Sequence, residues 1–193
     1  MKKLLAFFMI IAAGIYGVNL LITLNKTADE RQNMRWALIS EKNSRYDDVI
    51  WNTVKTLEKN LESIEKKTGL KTVSIIEERC IPAVFRDRLN ESRGDKDQLL
   101  NDVNETLYKV IFFRHIADTR PSLDKHDLAR KFESTRYENT SEAKEIIAAA
   151  TKEYNDIIVT QNAEIEKIKA LTPADVPEYQ VAWQREISKE LEQ

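Results

Sequence analysis

Apolar residues along the chain recur in steps of four and three, the spacing of a helix that turns one stripe toward its neighbours. Ile50, Val54, Leu57, Leu61 and Ile64 form the first such stripe, and Glu58, Lys59, Glu62, Glu65 and Lys66 fill the other faces as a solvated surface. The pattern predicts a helix from about Trp36 that stops at Gly69. A second segment, Thr72 to about Asn90, carries Val73, Ile76, Cys80 and Val84, and Pro82 should kink or break it. A third helix is expected over 95–118, with Leu99, Leu100, Val103, Leu107, Val110, Phe113 and Ala117 on one side. The stretch "TRPSLD" (119–124) interrupts the pattern, with Ser122 or Asp124 as the cap of the next segment. That fourth segment extends to about Leu171, with Ile147, Ala150, Tyr154, Ile157, Ile158, Gln161, Ile165 and Ile168 in its stripe. Four long amphipathic segments with short connections imply an all-α protein, an antiparallel bundle of about four long helices.

Ahead of this bundle, residues Leu4 to Asn25 contain no charged side chain. The run "LLAFFMIIAAGIYGVNLLITL" is long enough to cross a hydrocarbon core of about 30 Å as a helix. It exceeds the apolar core of a cleaved signal peptide, about 7–15 residues, and no small-x-small site ends it. The expected organisation is therefore an uncleaved transmembrane anchor over 1–25 and a helical bundle over 26–175. A tail over 176–193 completes the chain, amphipathic around Val181, Trp183 and Ile187. Lys2 and Lys3 favour an inside N-terminus and an extracytoplasmic bundle, although Lys26, Arg31, Arg35 and Lys42 stand on the other side of the run.

Composition narrows the function. Glycines and prolines number four each and 32% of residues are charged, which suits long helices. Lys+Arg 30 against Asp+Glu 32 leaves no overall field for nucleic acid. Cys80 is alone, so neither an intramolecular disulfide nor a cysteine zinc site is available. His115 and His126, with Asp118, Asp124 and Asp127 nearby, lack the helical His-Glu-x-x-His or Glu-x-x-His spacing of metal sites and read as surface histidines. No phosphate-binding glycine loop or nucleophile elbow occurs, so neither an enzyme nor a cofactor is expected.

Asn155 and Asn162 sit one heptad apart beside the stripe of Tyr154, Ile158, Gln161 and Ile165. They are either solvated or packed, and a packed amide penalises wrong registers. The stretch "YNDIIVTQNAEI" resembles the C-terminal signature of the LemA family through Tyr154, Asn155, Ile158, Asn162 and Ile165, with Gln161 in place of a second tyrosine. "RPSL" resembles the family's Tyr-Pro-x-Leu break, through Pro121 and Leu123. "WALISEKNSRYDDVIWN" resembles its N-terminal pattern through Trp36, Arg45, Asp48, Val49, Ile50 and Asn52, with Trp51 replacing a proline. Ala143-Lys144 and Ala150-Thr151 depart from the family pattern, as in a distant member. The resemblance implies a helical bundle on a membrane anchor and packed roles for the two asparagines. It also implies a bundle inside the cell, opposite to the reading of the lysines, and it implies no catalytic activity.

Two functions are expected from this pattern. The first is a membrane-tethered, non-catalytic scaffold or interaction module. Its contacts are the lipid bilayer and a membrane or envelope protein, or a second copy of the chain. The second is a ligand-responsive sensor whose helices repack on binding, suggested by the polar content around Asn139, Thr140 and Ser141.

Overall fold

The stripe beginning at Ile50 does what its spacing requires. Ile50, Val54, Leu57 and Ile64 are fully buried and Leu61 nearly so. They lie on α1, Lys2–Thr68. Gly69 ends this helix with φ +67°, a backbone conformation that costs other residues the crowding of their Cβ, and its N–H closes on the Glu65 carbonyl at 2.7 Å. The structure, a computed structural model, describes residues 2–91, 95–119, 130, 134–135 and 139–176, with side chains from 27 onward except Ser74. The chain divides into two compact units, Ser44–Lys169 and Met1–Asn43 with Ala170–Gln193. Backbone over the expected anchor is helical, and its side chains lie outside the described residues. Among the described residues no helix is long and apolar enough to cross a membrane.

After Gly69 the chain makes two 3₁₀ turns, Thr72–Ser74 and Glu78–Cys80, and then α2, Pro82–Asn90. The interruption expected at Pro82 falls there, with 3₁₀ turns before it and Pro82 itself beginning a helix. Ile81 is extended, as a residue before proline prefers, and Pro82 occupies the first turn, where an N–H would have no helical partner. Val73 is exposed, and Phe85 is the residue that α2 buries most completely. Helix α3, Lys96–Thr119, starts under Asp95, whose carboxylate accepts from the Asp97 and Gln98 N–H groups at 3.0 and 3.2 Å. Its stripe, from Leu99 through Val103, Leu107 and Val110 to Ala117, is buried as expected. Helix α4, Ser141–Ala170, is capped by the Thr140 hydroxyl, which accepts from Ala143 N–H at 3.1 Å. Asn139 and Thr140 thus precede this helix. The break at 120–129 and the expected tail beyond Val176 lie outside the described residues.

All described elements are helical, and the long ones of the Ser44–Lys169 unit pack as a bundle. Their directions correct the uniformly antiparallel expectation. Tyr46 pairs with Asp97, Asp47 with Lys96 at 2.6 Å, and Lys67 with Asp118, so α1 and α3 run parallel. Gln161 meets both Thr53 and Asn104 while Glu153 meets Arg114, so α4 runs antiparallel to both. The turns and α2 carry the chain back between the parallel pair. Basic residues of α2 tie it to both sides: Arg86 to Glu58, and Arg88 to Asp102 at 2.8 Å. Lys55 and Arg86 also lie 5.3 and 5.5 Å from the Trp51 ring.

Burial opposes ionisation of Asp102, but hydrogen bonds from Arg88 and from Gln98 (2.7 Å) outweigh it and hold the carboxyl below the usual carboxylate range. Because the folded value lies below the unfolded one, the stability is present above the unfolded value of about 4 and is lost as pH falls through the folded value. Wild-type urea midpoints should fall between about pH 5 and pH 3, and Asp102→Asn should flatten that fall. Identical pH profiles for the two proteins would remove the α2–α3 pair from the account.

Candidate functional site

A buried amide defines the centre of the bundle. Gln161 projects from α4 at 6% exposure, against Asn104 on α3 and Thr53 on α1, at 9% and 5%. The Gln161 Nε2 group donates to Thr53 Oγ1 at 2.9 Å and to Asn104 Oδ1 at 3.2 Å. Asn104 Nδ2 donates back to Gln161 Oε1 at 2.8 Å, and the Thr53 hydroxyl donates to the Val49 carbonyl at 2.8 Å. Both donors and the acceptor of the glutamine amide are therefore engaged. Gln161 stands in the α4 stripe, while Thr53 and Asn104 are chain neighbours of the stripe residues Val54 and Val103. Only the fold brings the three together.

The amide forms the floor of a groove of ≈ 930 Å³ along α3 and α4, with Tyr46 of α1 at one side. Tyr108 and Tyr154 meet edge to face in it, centroids 5.1 Å apart and planes at 70°. Burial, then Tyr108, raises the Tyr154 phenol above its ordinary value. The Tyr46 phenol is raised further, by burial first and then by its hydrogen bond to Asp97. Each charged lining group has a partner: Glu105 holds Lys109 at 2.7 Å, and Lys169 holds Glu166 at 2.7 Å. The Lys109 ammonium holds the Glu105 carboxyl below its ordinary value. By contrast, the amides of Asn101, Asn155 and Asn162 and the hydroxyls of Tyr108 and Tyr154 make no hydrogen bond among the described residues. A second groove, ≈ 490 Å³, lies between α1 and α4 and is lined by Asn52, Thr56, Asp156, Glu164 and again Gln161.

The structure thus gathers Tyr154, Asn155, Ile158, Asn162 and Ile165 on one groove. It also corrects the packing reading of the asparagines. Both are exposed, because the inward direction of α4 at this level is taken by Gln161 and its neighbours on the helical wheel fall at the rim. Ile50 is core, Arg45, Asp48 and Asn52 are exposed, and Trp36, 62% exposed, belongs to the other unit. Pro121 and Leu123 lie outside the described residues, as do Asp124, His126 and Asp127. His115 Nε2 lies 3.0 Å from Glu153, which also takes the Arg114 guanidinium. Among the described residues no group of three side chains could hold a metal. The sequence pattern passed over Tyr46, Asn104 and Tyr108: Tyr46 stands four residues before Ile50, in line with the α1 stripe, while Asn104 and Tyr108 each follow a stripe residue, Val103 and Leu107.

The class defined by these observations is an all-α bundle with grooves flanking one helix. The chain matches no family model, no curated protein and no solved structure.

Truncating Gln161 leaves the Asn104 amide buried with neither its donor nor its acceptor engaged by α4. Gln161→Ala should therefore lower stability by about 2–3 kcal/mol. Asn155→Ala and Asn162→Ala, removing exposed amides, should each change it by less than about 0.5 kcal/mol. Urea midpoints measure both, and a large loss at either asparagine together with none at Gln161 would reverse the assignment.

Proposed function

We propose that this chain is a single-pass membrane protein of LemA-like type, acting as a non-catalytic interaction module whose binding face is the groove beside α4. The observation that carries the reading is the set of three asparagine amides and two tyrosine hydroxyls on a concave surface. Among the described residues these groups have no hydrogen-bond partner, and the floor beneath them is fixed by Gln161. Solvent-facing amides and hydroxyls on a concave surface exchange water for a ligand's polar groups at little net cost, and can do so as donors or as acceptors. The apolar run at 4–25 supports the anchor, and the collinear residues from Trp36 to Ile165 support the family assignment. On the lysine count the bundle faces the extracytoplasmic side, with partners among envelope proteins or a second copy of the chain.

A photoreactive side chain placed at Asn162 in native membranes should give a discrete adduct, whereas one at Glu62, exposed on α1, should give none. No adduct from Asn162, or the same adducts from both positions, would end this reading.

Gln161 also favours a second reading, a ligand-responsive sensor, because its amide lines both grooves and holds both neighbouring helices. A ligand competing for that amide would shift helix packing. In a screen of metabolites and ions, at least one compound should then raise Tm by about 3 °C or more, with the shift lost in Gln161→Ala. A screen in which no compound moves Tm would dismiss the sensor.

A further inference from the structure

Asn155 and Asn162 face one side of α4, about 10.5 Å apart along its axis. A polyproline-II strand completes a turn in three residues, about 9.3 Å, so its carbonyls point the same way at nearly that interval. Flexible asparagine side chains span the remaining difference. Proline lacks an N–H, so such a strand presents acceptors and calls for donors. The groove supplies them: the amide Nδ2 groups of Asn101, Asn155 and Asn162, and the hydroxyls of Tyr108 and Tyr154, all without a hydrogen-bond partner among the described residues.

Shape and charge agree. Tyr108 and Tyr154, set at 70°, both line the groove, and aromatic surface is what proline rings dock on. From Thr151 to Lys169 the lining of α4 rises about 27 Å, room for about nine polyproline-II residues. Glu105 is paired with Lys109 and Lys169 with Glu166, and the Asp97 carboxylate accepts from the Tyr46 hydroxyl, so both ammonium groups of the groove are already compensated and nothing there calls for an acidic strand. The same amides and hydroxyls also accept, so a glycan is the alternative ligand that the test below excludes. A strand ordered before binding also loses little entropy on docking.

Resting on the reading of this groove as a binding face, we propose that it takes a proline-rich segment of a partner protein in the polyproline-II conformation. Ring stacking at Tyr108 and Tyr154 and carbonyl hydrogen bonds to Asn155 and Asn162 hold that segment.

Fluorescein-labelled decaproline, titrated by anisotropy into the full chain in lipid nanodiscs, tests this directly. Saturable binding is expected with a Kd of about 10–100 µM, and none by a glycine-serine decapeptide. Asn155→Ala combined with Asn162→Ala should weaken binding about tenfold, with an unchanged melting curve because both residues are exposed. Glu62→Ala should leave it unchanged. Absence of saturation, equal binding of the glycine-serine peptide, an unaffected double variant, or displacement by chitotetraose would each overturn the proposal. If decaproline fails while Asn162 still yields its membrane adduct, the ligand class is wrong and the interaction module stands. If both fail, both readings fall.

Discussion

A glutamine that leaves water must bring partners with it, and Gln161 has one constellation that satisfies it. Sliding α4 by one turn along its neighbours would set its amide against aliphatic residues such as Leu107 or Ile50 and strand the Asn104 amide in the core. An unsatisfied buried amide costs on the order of 1–3 kcal/mol, a sizeable part of the net stability of a domain. Apolar stripes alone tolerate such slips, because one leucine packs much as another does. The three-helix amide contact therefore supplies register where the hydrophobic contacts supply cohesion. Everything at the groove inherits that register: the meeting of Tyr108 with Tyr154, and the height at which Asn155 and Asn162 stand on the rim.

The return connection is the second constraint. A bundle of antiparallel neighbours needs only tight turns, yet here a two-turn segment and α2 bring the chain back so that α3 starts where α1's packed part starts. Phe85 is buried in the core shared with α1 and α3, and the arginines of α2 reach to Glu58 on α1 and Asp102 on α3. This arrangement leaves α4 to cover both long helices at once, with a groove on either side of it. Only a few of its side chains are buried, namely Ala143, Ile146, Ala150, Gln161 and Ile168. Ile147, Tyr154, Ile157 and Ile165 pack partly against the core beside them.

Much of this was legible in the order of residues. The α1 and α3 stripes, the stop at Gly69 and the helical class follow from periodicity and from one glycine's backbone freedom. Helix direction was not legible, because a stripe does not record which way its partner runs. Pro82 marked the interruption but not its form: the same residue breaks a helix from inside and begins one from its first turn, and only the extended Ile81 separates the cases. For the asparagines, heptad spacing gave a common side of the helix but not which side. One residue's offset, about 100° around the axis, separates the buried Gln161 from the exposed Asn162. The tyrosines and amides of the groove come from three helices, so the spacing along each helix, such as Asn101, Asn104 and Tyr108, did not show that they meet.

The parallel course of α1 and α3 also sets a timetable for biosynthesis. Contacts between them join residues 51 apart, and the hydrogen bond between Thr53 and Gln161 joins residues 108 apart. At about 5–20 residues per second, α1 waits about 3–10 s for α3 and about 5–20 s for the helix that completes its core. Throughout that interval a bare apolar stripe emerges from the ribosome without its cover. High contact order of this kind slows folding and exposes sticky surface. The α1 stripe is thus the part of the core that is made first and covered last.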